Sequence, residues 1–161
     1  ENESVKLLSQ NTYDIDEYLV DISKKEGLVD GMKPLDGGIS LHLACHSRAQ
    51  NMGAKSNELL KLIPEADISI VERCSGHGGT FGVLTPTHDL ARKVGKPAAR
   101  MVAKADPVYV ISSCPLASKH LSQITKEDVI KDKKSTNIRS GHPIELMAVS
   151  YGFLKKDEMS E

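Results

Sequence analysis

Three cysteines each close a short run of apolar and β-branched residues. The runs are Gly38-Ile39-Ser40-Leu41-His42-Leu43-Ala44-Cys45, Asp67-Ile68-Ser69-Ile70-Val71-Glu72-Arg73-Cys74 and Pro107-Val108-Tyr109-Val110-Ile111-Ser112-Ser113-Cys114. Thiolates are soft ligands that suit zinc, iron and iron–sulfur clusters. If each run is a strand of one parallel sheet, all three thiols emerge at its carboxyl edge, where open α/β folds hold their ligands. The gaps are 28 residues from Cys45 to Cys74 and 39 from Cys74 to Cys114. No Cys-x-x-Cys pair exists, so local zinc-ribbon spacing is absent. Only a fold can gather these three side chains.

A fourth ligand would have to come from His42, His46, His77 or Ser75, each within three residues of a cysteine. His77 is preferred, because it sits in the loop Gly76-His77-Gly78-Gly79-Thr80-Phe81-Gly82. His46 directly follows Cys45 and is the second choice. His42 alternates with Leu41 and Leu43, as an ordinary hydrogen-bonded strand histidine would. His88, His120 and His142 read as helix-end residues without a function. In the loop itself, Gly76, Gly78 and Gly79 would let backbone amides approach sulfur closely. A dinucleotide site fails because Phe81 stands where the last glycine belongs, and there is no Gly-Lys-Ser/Thr. A thiolate activated by His46 or His77 is a rival chemistry, but it leaves one or two cysteines idle.

The elements that must position these groups can be read from periodicity. A helix is expected over Asp14–Leu28, with Ile15, Tyr18, Leu19 and Ile22 at helical spacing and Asp14 or Thr12 as its cap. A turn-rich connector, 30–38, leads into the first strand. A helix over Ala54–Leu62 stops at Pro64, and Thr85-Pro86 opens another that reaches Ala103, bent or interrupted near Gly95 and Pro97. Pro115 opens a short helix to about Ile124. Residues 126–139 are polar and read as a surface excursion; His142-Pro143 then starts a last helix offering Ile144, Leu146, Met147, Val149 and Tyr151 for docking. Residues 155–161 are expected to fray. The repeated strand–Cys–helix units predict an α/β fold, a three-layer sandwich around a small, mainly parallel sheet.

Composition narrows the function classes. The chain has 161 residues, is 39% apolar and 27% charged, and carries a formal charge of −1. That is enough for one domain with a real core. It gives no footprint for nucleic acid. No apolar run approaches the roughly 18 residues of a membrane span, and no signal-peptide pattern is present. An odd number of cysteines suits metal or redox thiols in a reducing, cytoplasmic compartment better than a disulfide scaffold. A start at Glu1 rather than Met reads as a processed product or a piece of a longer chain.

These residues together resemble the cysteine-rich CCG domain carried by one of the subunits of heterodisulfide reductase and by one of those of anaerobic glycerol-3-phosphate dehydrogenase. Cys45 matches the family's first cysteine, Cys74-Ser75-Gly76 its Cys-Cys-Gly, and Cys114-Pro115-Leu116-Ala117 its Cys-x-x-Cys. The flanking text fits as well: His42-Leu43-Ala44-Cys45-His46, Gly79-Thr80-Phe81-Gly82 and His142-Pro143-Ile144-Glu145-Leu146. The likeness covers about 38–152, preceded by a helix and connector in 1–37 and followed by a flexible tail, 153–161. It is closest to the heterodisulfide-reductase-related iron–sulfur oxidoreductase branch. It implies cluster binding and electron transport with other redox subunits or domains, flavin- or ferredoxin-like, in some cases with a quinone-linked membrane partner at the inner membrane. Only one repeat is present, so the chain reads as an oxidoreductase component, a C-terminal fragment or separate subunit, rather than a complete enzyme.

Ser75 and Ala117 stand where the family has cysteines, so a five-thiolate double-cluster site and substrate disulfide cleavage are not carried over. Three thiolates suffice for a 4Fe-4S cluster with a histidine, serine, water or open fourth position. They also suffice for a 3Fe-4S cluster, or with a histidine for zinc. The rival class is a structural zinc or metal-free module that docks a partner.

Overall fold

The three apolar runs that end on cysteine become neighbouring strands. In a computed structural model, which describes residues 2–51, 53–130 and 137–160, they are β1 (Ile39–His42), β2 (Ile68–Val71) and β3 (Tyr109–Ser112). Around them stand α1 (Glu3–Gln10), α2 (Ile15–Lys25), α3 (Cys45–Ala49), α4 (Lys55–Leu60), α5 (Thr85–Ala105), α6 (Pro115–Ile124) and α7 (Pro143–Tyr151). A fourth strand, β4 (Arg139–Gly141), completes a sheet of order β2-β1-β3-β4. Every pairing is parallel: Ile39 lies opposite Ile68 and Tyr109, and His42 opposite Val71 and Ser112. The expected α/β class and its parallel sheet are thus present.

Alternation along the strands makes the three layers. Ile39, Leu41, Tyr109 and Ile111 face α2, α4 and α7 in one apolar cluster with Val20, Leu59, Leu60, Ile63, Leu146 and Met147. Val71 and Val110 face the other way, with Ala98 and Val102 of α5 and Leu121 of α6. Each such fully buried aliphatic side chain stabilises the fold by about 1.5–3 kcal/mol. The chain leaves β1 on the first face and enters β3 from the second, so the strand order reverses between β1 and β3. That reversal opens a crevice outside their carboxyl ends.

Several expectations are corrected. Arg139 belongs to β4, not to a surface excursion; three polar residues carry no strand signal of their own and are recruited by pairing with β3. Of the rest of the expected excursion, 126–129 continue α6 as a helical turn tied to α5 by Arg92–Asp128 at 2.7 Å, Ile138 is buried, and 131–136 lie outside the described residues. Helix α5 runs unbroken through Gly95 and Pro97. Pro97 is exposed, so the carbonyl it leaves unpaired faces water, while Ala91, Gly95, Ala98 and Ala99 form a buried small-residue face. α1, capped by Asn2, was not foreseen, and it buries none of its residues. In α2, Asp16 and Val20 are buried, whereas Ile15 and Tyr18 are exposed. In α7, Ile144 is also exposed. The tail does not fray over its described part: Ser140 N–H donates to the Ser160 carbonyl at 2.8 Å and Met159 is 3% exposed.

Candidate functional site

Parallel register places the three cysteines at one level. Cys45 comes three residues after β1, Cys74 three after β2, and Cys114 two after β3, with β1 in the middle. Cys45 opens α3, and Cys114 is the N-terminal flanking residue of α6, ahead of Pro115. Cys45 and Cys74 are exposed, Cys114 is half-buried, and all three are free thiols. Among the described residues, no three cysteine, histidine or carboxylate side chains gather closely enough to hold a metal ion as they stand.

The loops are nevertheless joined. Ser47 Oγ of α3 and Ser113 Oγ lie 2.9 Å apart, tying the Cys45 segment to the Cys114 segment across the β1–β3 crevice. The Gly76 amide donates to Cys74 Sγ at 3.3 Å, within reach for a sulfur acceptor. Gly76 has φ +79°, and a Cβ there would run into the Ala91 carbonyl and come within 2.8 Å of the Gly95 amide of α5. Only glycine lets this turn press on α5 and still aim its amide at sulfur. Gly78 and Gly79 also have positive φ, 52° and 61°, and lead into the short 3-10 turn Gly79–Gly82.

The histidines divide sharply. His46 is exposed on α3 beside Cys45. His77 is 6% exposed, its Nε2 is buried without a hydrogen-bond partner, and its ring lies 5.9 Å from that of His120. His120, expected at a helix end, is instead a buried residue inside α6, with His88 a further 6.0 Å ring contact. Burial pushes the His120 imidazole down, and His77 and His88 add to this, against a hydrogen bond to the Ala91 carbonyl. His88 Nδ1 donates to the Gly82 carbonyl at 2.7 Å. His142 does cap a helix: its Nδ1 accepts from the Ile144 amide at 3.2 Å. Ser75, in the place of the resembled family's second cysteine, is 5% exposed and accepts from the His77 amide.

His42 is the strand histidine expected of it: 2% exposed and hydrogen-bonded through both ring nitrogens, to Ser112 Oγ and to the Arg73 carbonyl, each at 3.1 Å. Burial pushes its imidazole down. The sequence reading missed where those bonds lead. The signal was present in Ser40, His42 and Ser112, polar residues that share one face of two otherwise apolar strands.

No family model matches the chain, and no solved structure matches it significantly. Curated proteins do. The chain is 35% identical over 137 residues to an uncharacterized iron–sulfur protein of Methanocaldococcus jannaschii, covering 84% of this chain and 27% of that one. It is 29% identical over 147 residues to one of the subunits of a fumarate reductase (CoM/CoB) of Methanothermobacter marburgensis, covering 88% and 27%. It is 26% identical to lactate utilization protein A of Oceanobacillus iheyensis over 108 residues, covering 65% and 42%. The chain thus spans from about a quarter to under half the length of these relatives. A contiguous match over 84% of its own length necessarily includes Cys45, Cys74 and Cys114. These likenesses relate the chain to proteins named for iron–sulfur binding and for subunits of redox enzymes.

Proposed function

We propose that the carboxyl edge of the sheet binds an iron–sulfur cluster through Cys45, Cys74 and Cys114, and that the chain serves electron transfer as part of a larger oxidoreductase. The observation that carries this is register: three adjacent parallel strands each deliver a free thiol to the same edge, two of them flanking the reversal of strand order. The donor chemistry fits the group, since free thiols are the ligands of such clusters and an amide is already directed at one sulfur. When bound, the cluster supplies a one-electron carrier. The protein supplies the rest: the Gly76 amide stabilises negative charge on the Cys74 sulfur, and the N-terminal end of α6 beside Cys114 favours an anionic site.

A 4Fe-4S cluster with three protein thiolates is the form favoured. A 3Fe-4S cluster or zinc is the alternative, zinc making the domain a structural module. His46, exposed beside Cys45, is the histidine free to complete the fourth position; His77 is given a packing role against His120. The partners are other redox subunits or domains, flavin- or ferredoxin-like, as in the resembled heterodisulfide reductase and glycerol-3-phosphate dehydrogenase families. A quinone-linked membrane partner is one such option. No helix among the described residues is long and apolar enough to cross a membrane.

The test is iron and acid-labile sulfide in protein purified or reconstituted without oxygen, beside Cys45→Ala, Cys74→Ala and Cys114→Ala variants. The expected content is about four of each per chain, lost in every variant. Zinc without sulfide would replace electron transfer by the structural role. Neither metal nor sulfide after reconstitution would sink both.

A further inference from the structure

Beneath the thiols, one side chain connects the cysteine loops. His42 ends the central strand β1, on the face that packs against α5 and α6. Its Nε2 is 3.1 Å from the carbonyl of Arg73, the residue before Cys74. A carbonyl only accepts, so Nε2 carries the proton, and Nδ1 accepts from the Ser112 hydroxyl. Ser112 Oγ in turn accepts the Cys114 amide at 3.2 Å. One neutral tautomer therefore satisfies a chain running from the Cys114 amide through Ser112 and His42 to the backbone at Cys74. The Ser47–Ser113 contact extends it to the helix that starts at Cys45.

A buried strand position needs no such residue for packing. The residues facing it from α5, α6 and β3, Ala98, Val102, Leu121 and Val110, form an apolar cluster, and a buried polar ring costs stability unless both nitrogens are satisfied. One bond of His42 goes to Ser112, the last residue of β3 and two before Cys114, the other to the loop after β2 at Arg73, and neither to a helix. We propose that His42 is a positioning residue that fixes the Cys74 and Cys114 loops relative to one another without touching the group they hold; this rests on the cluster reading above.

The two bonds can be cut separately. In His42→Gln the amide nitrogen sits where Nε2 was, keeping the Arg73 link and losing the Ser112 link. In His42→Asn the side-chain oxygen sits where Nδ1 was, keeping Ser112 and losing Arg73. Amide hydrogen exchange by NMR on the metal-free chain reads each loop. A single hydrogen bond of about 1–1.5 kcal/mol corresponds to roughly five- to tenfold faster exchange. The Cys114 amide should speed up by that factor in His42→Gln, and the Gly76 amide in His42→Asn, while the Leu41 and Val110 amides stay as in the wild type. After anaerobic reconstitution both variants should still take up cluster, each with its own shift of the reduced-state electron paramagnetic resonance spectrum and midpoint potential. Unchanged exchange at Cys114 and Gly76 would overturn the proposal. So would acceleration of all strand amides together, which is plain destabilisation, and so would loaded variants spectroscopically identical to the wild type. If the wild type takes up no iron or sulfide, the cluster reading fails by itself, and the exchange pattern still decides whether His42 sets the two loops.

Discussion

At the carboxyl end of the sheet the strands run out into free thiols, a turn with three left-handed glycines, and a histidine hydrogen-bonded to the end of β3 and to the loop before Cys74. At the amino end the same strands are entered through direct backbone bonds: Ile39 N–H to Asp67 O at 2.8 Å, Val108 N–H to Gly38 O at 3.0 Å and Arg139 N–H to Val108 O at 2.8 Å. The tail lies along the β4 edge, where Met159 joins the main apolar cluster beside Gly141, and Lys156 is paired to Asp36 ahead of β1. One end is fastened by elements that exist for stability. The other spends polar groups on holding loops open to solvent. Damage at the two ends should therefore be separable, and cluster content is the readout that separates them.

The sharpest test is Gly76→Ala. A left-handed residue other than glycine costs about 1–2 kcal/mol, and the collision with α5 adds about 1–3 kcal/mol of overpacking. The variant should lose about 2–5 kcal/mol in urea denaturation and, because the turn must move, most of its iron as well. Retained iron at wild-type stoichiometry would show that the turn is not part of the site. Met159→Ala makes the matching cut in the tail. Removing a buried methionine near a chain end should cost about 2 kcal/mol, comparable to the weaker case at Gly76, yet leave iron and sulfide content unchanged. Parallel loss of cluster in both variants would erase the distinction between the two ends.

How much of this contrast was legible in the sequence follows the same division. The strand–cysteine units, the α/β class and the carboxyl-edge placement came from β-branched runs, whose period-2 pattern survives into both core faces. The docking of the tail was invisible, because Met159 and Ser160 lie in a short polar tail that pairs with an edge strand, Arg139–Gly141, with no propensity of its own. The histidines were half legible. His77 in a glycine loop looks like a ligand by proximity to Cys74, but its ring is packed against His120, a residue 43 positions on. Spacing in sequence says which groups are near, and only packing says which way they turn. His42 was read correctly as hydrogen-bonded, while its partners, 31 and 70 residues away, could not be named in advance.

The smallest effect tests the amino end alone. Lys156, hydrogen-bonded to Asp36, holds that carboxyl below its usual range; the Tyr109 hydroxyl adds to this, against partial burial. Burial pushes the Tyr109 hydroxyl itself up, so it remains a donor, 2.9 Å from Asp36 Oδ1. A carboxyl whose folded value is lowered contributes stability that is fully present above the ordinary aspartate value of about 3.9 and is lost as pH falls through the folded value. The Asp36 side chain is 73% exposed, so the contribution is a few tenths of a kcal/mol and shrinks in high salt. Asp36→Asn keeps an acceptor for Tyr109 and removes only the charge. The melting temperatures of wild type and variant should differ slightly at pH 7 and converge as pH falls through the lowered folded value of Asp36, with equal cluster content at pH 7. A difference that persists in acid would mean that Asp36 acts through something other than its charge, and the ion pair with Lys156 would then not be what fastens the amino end.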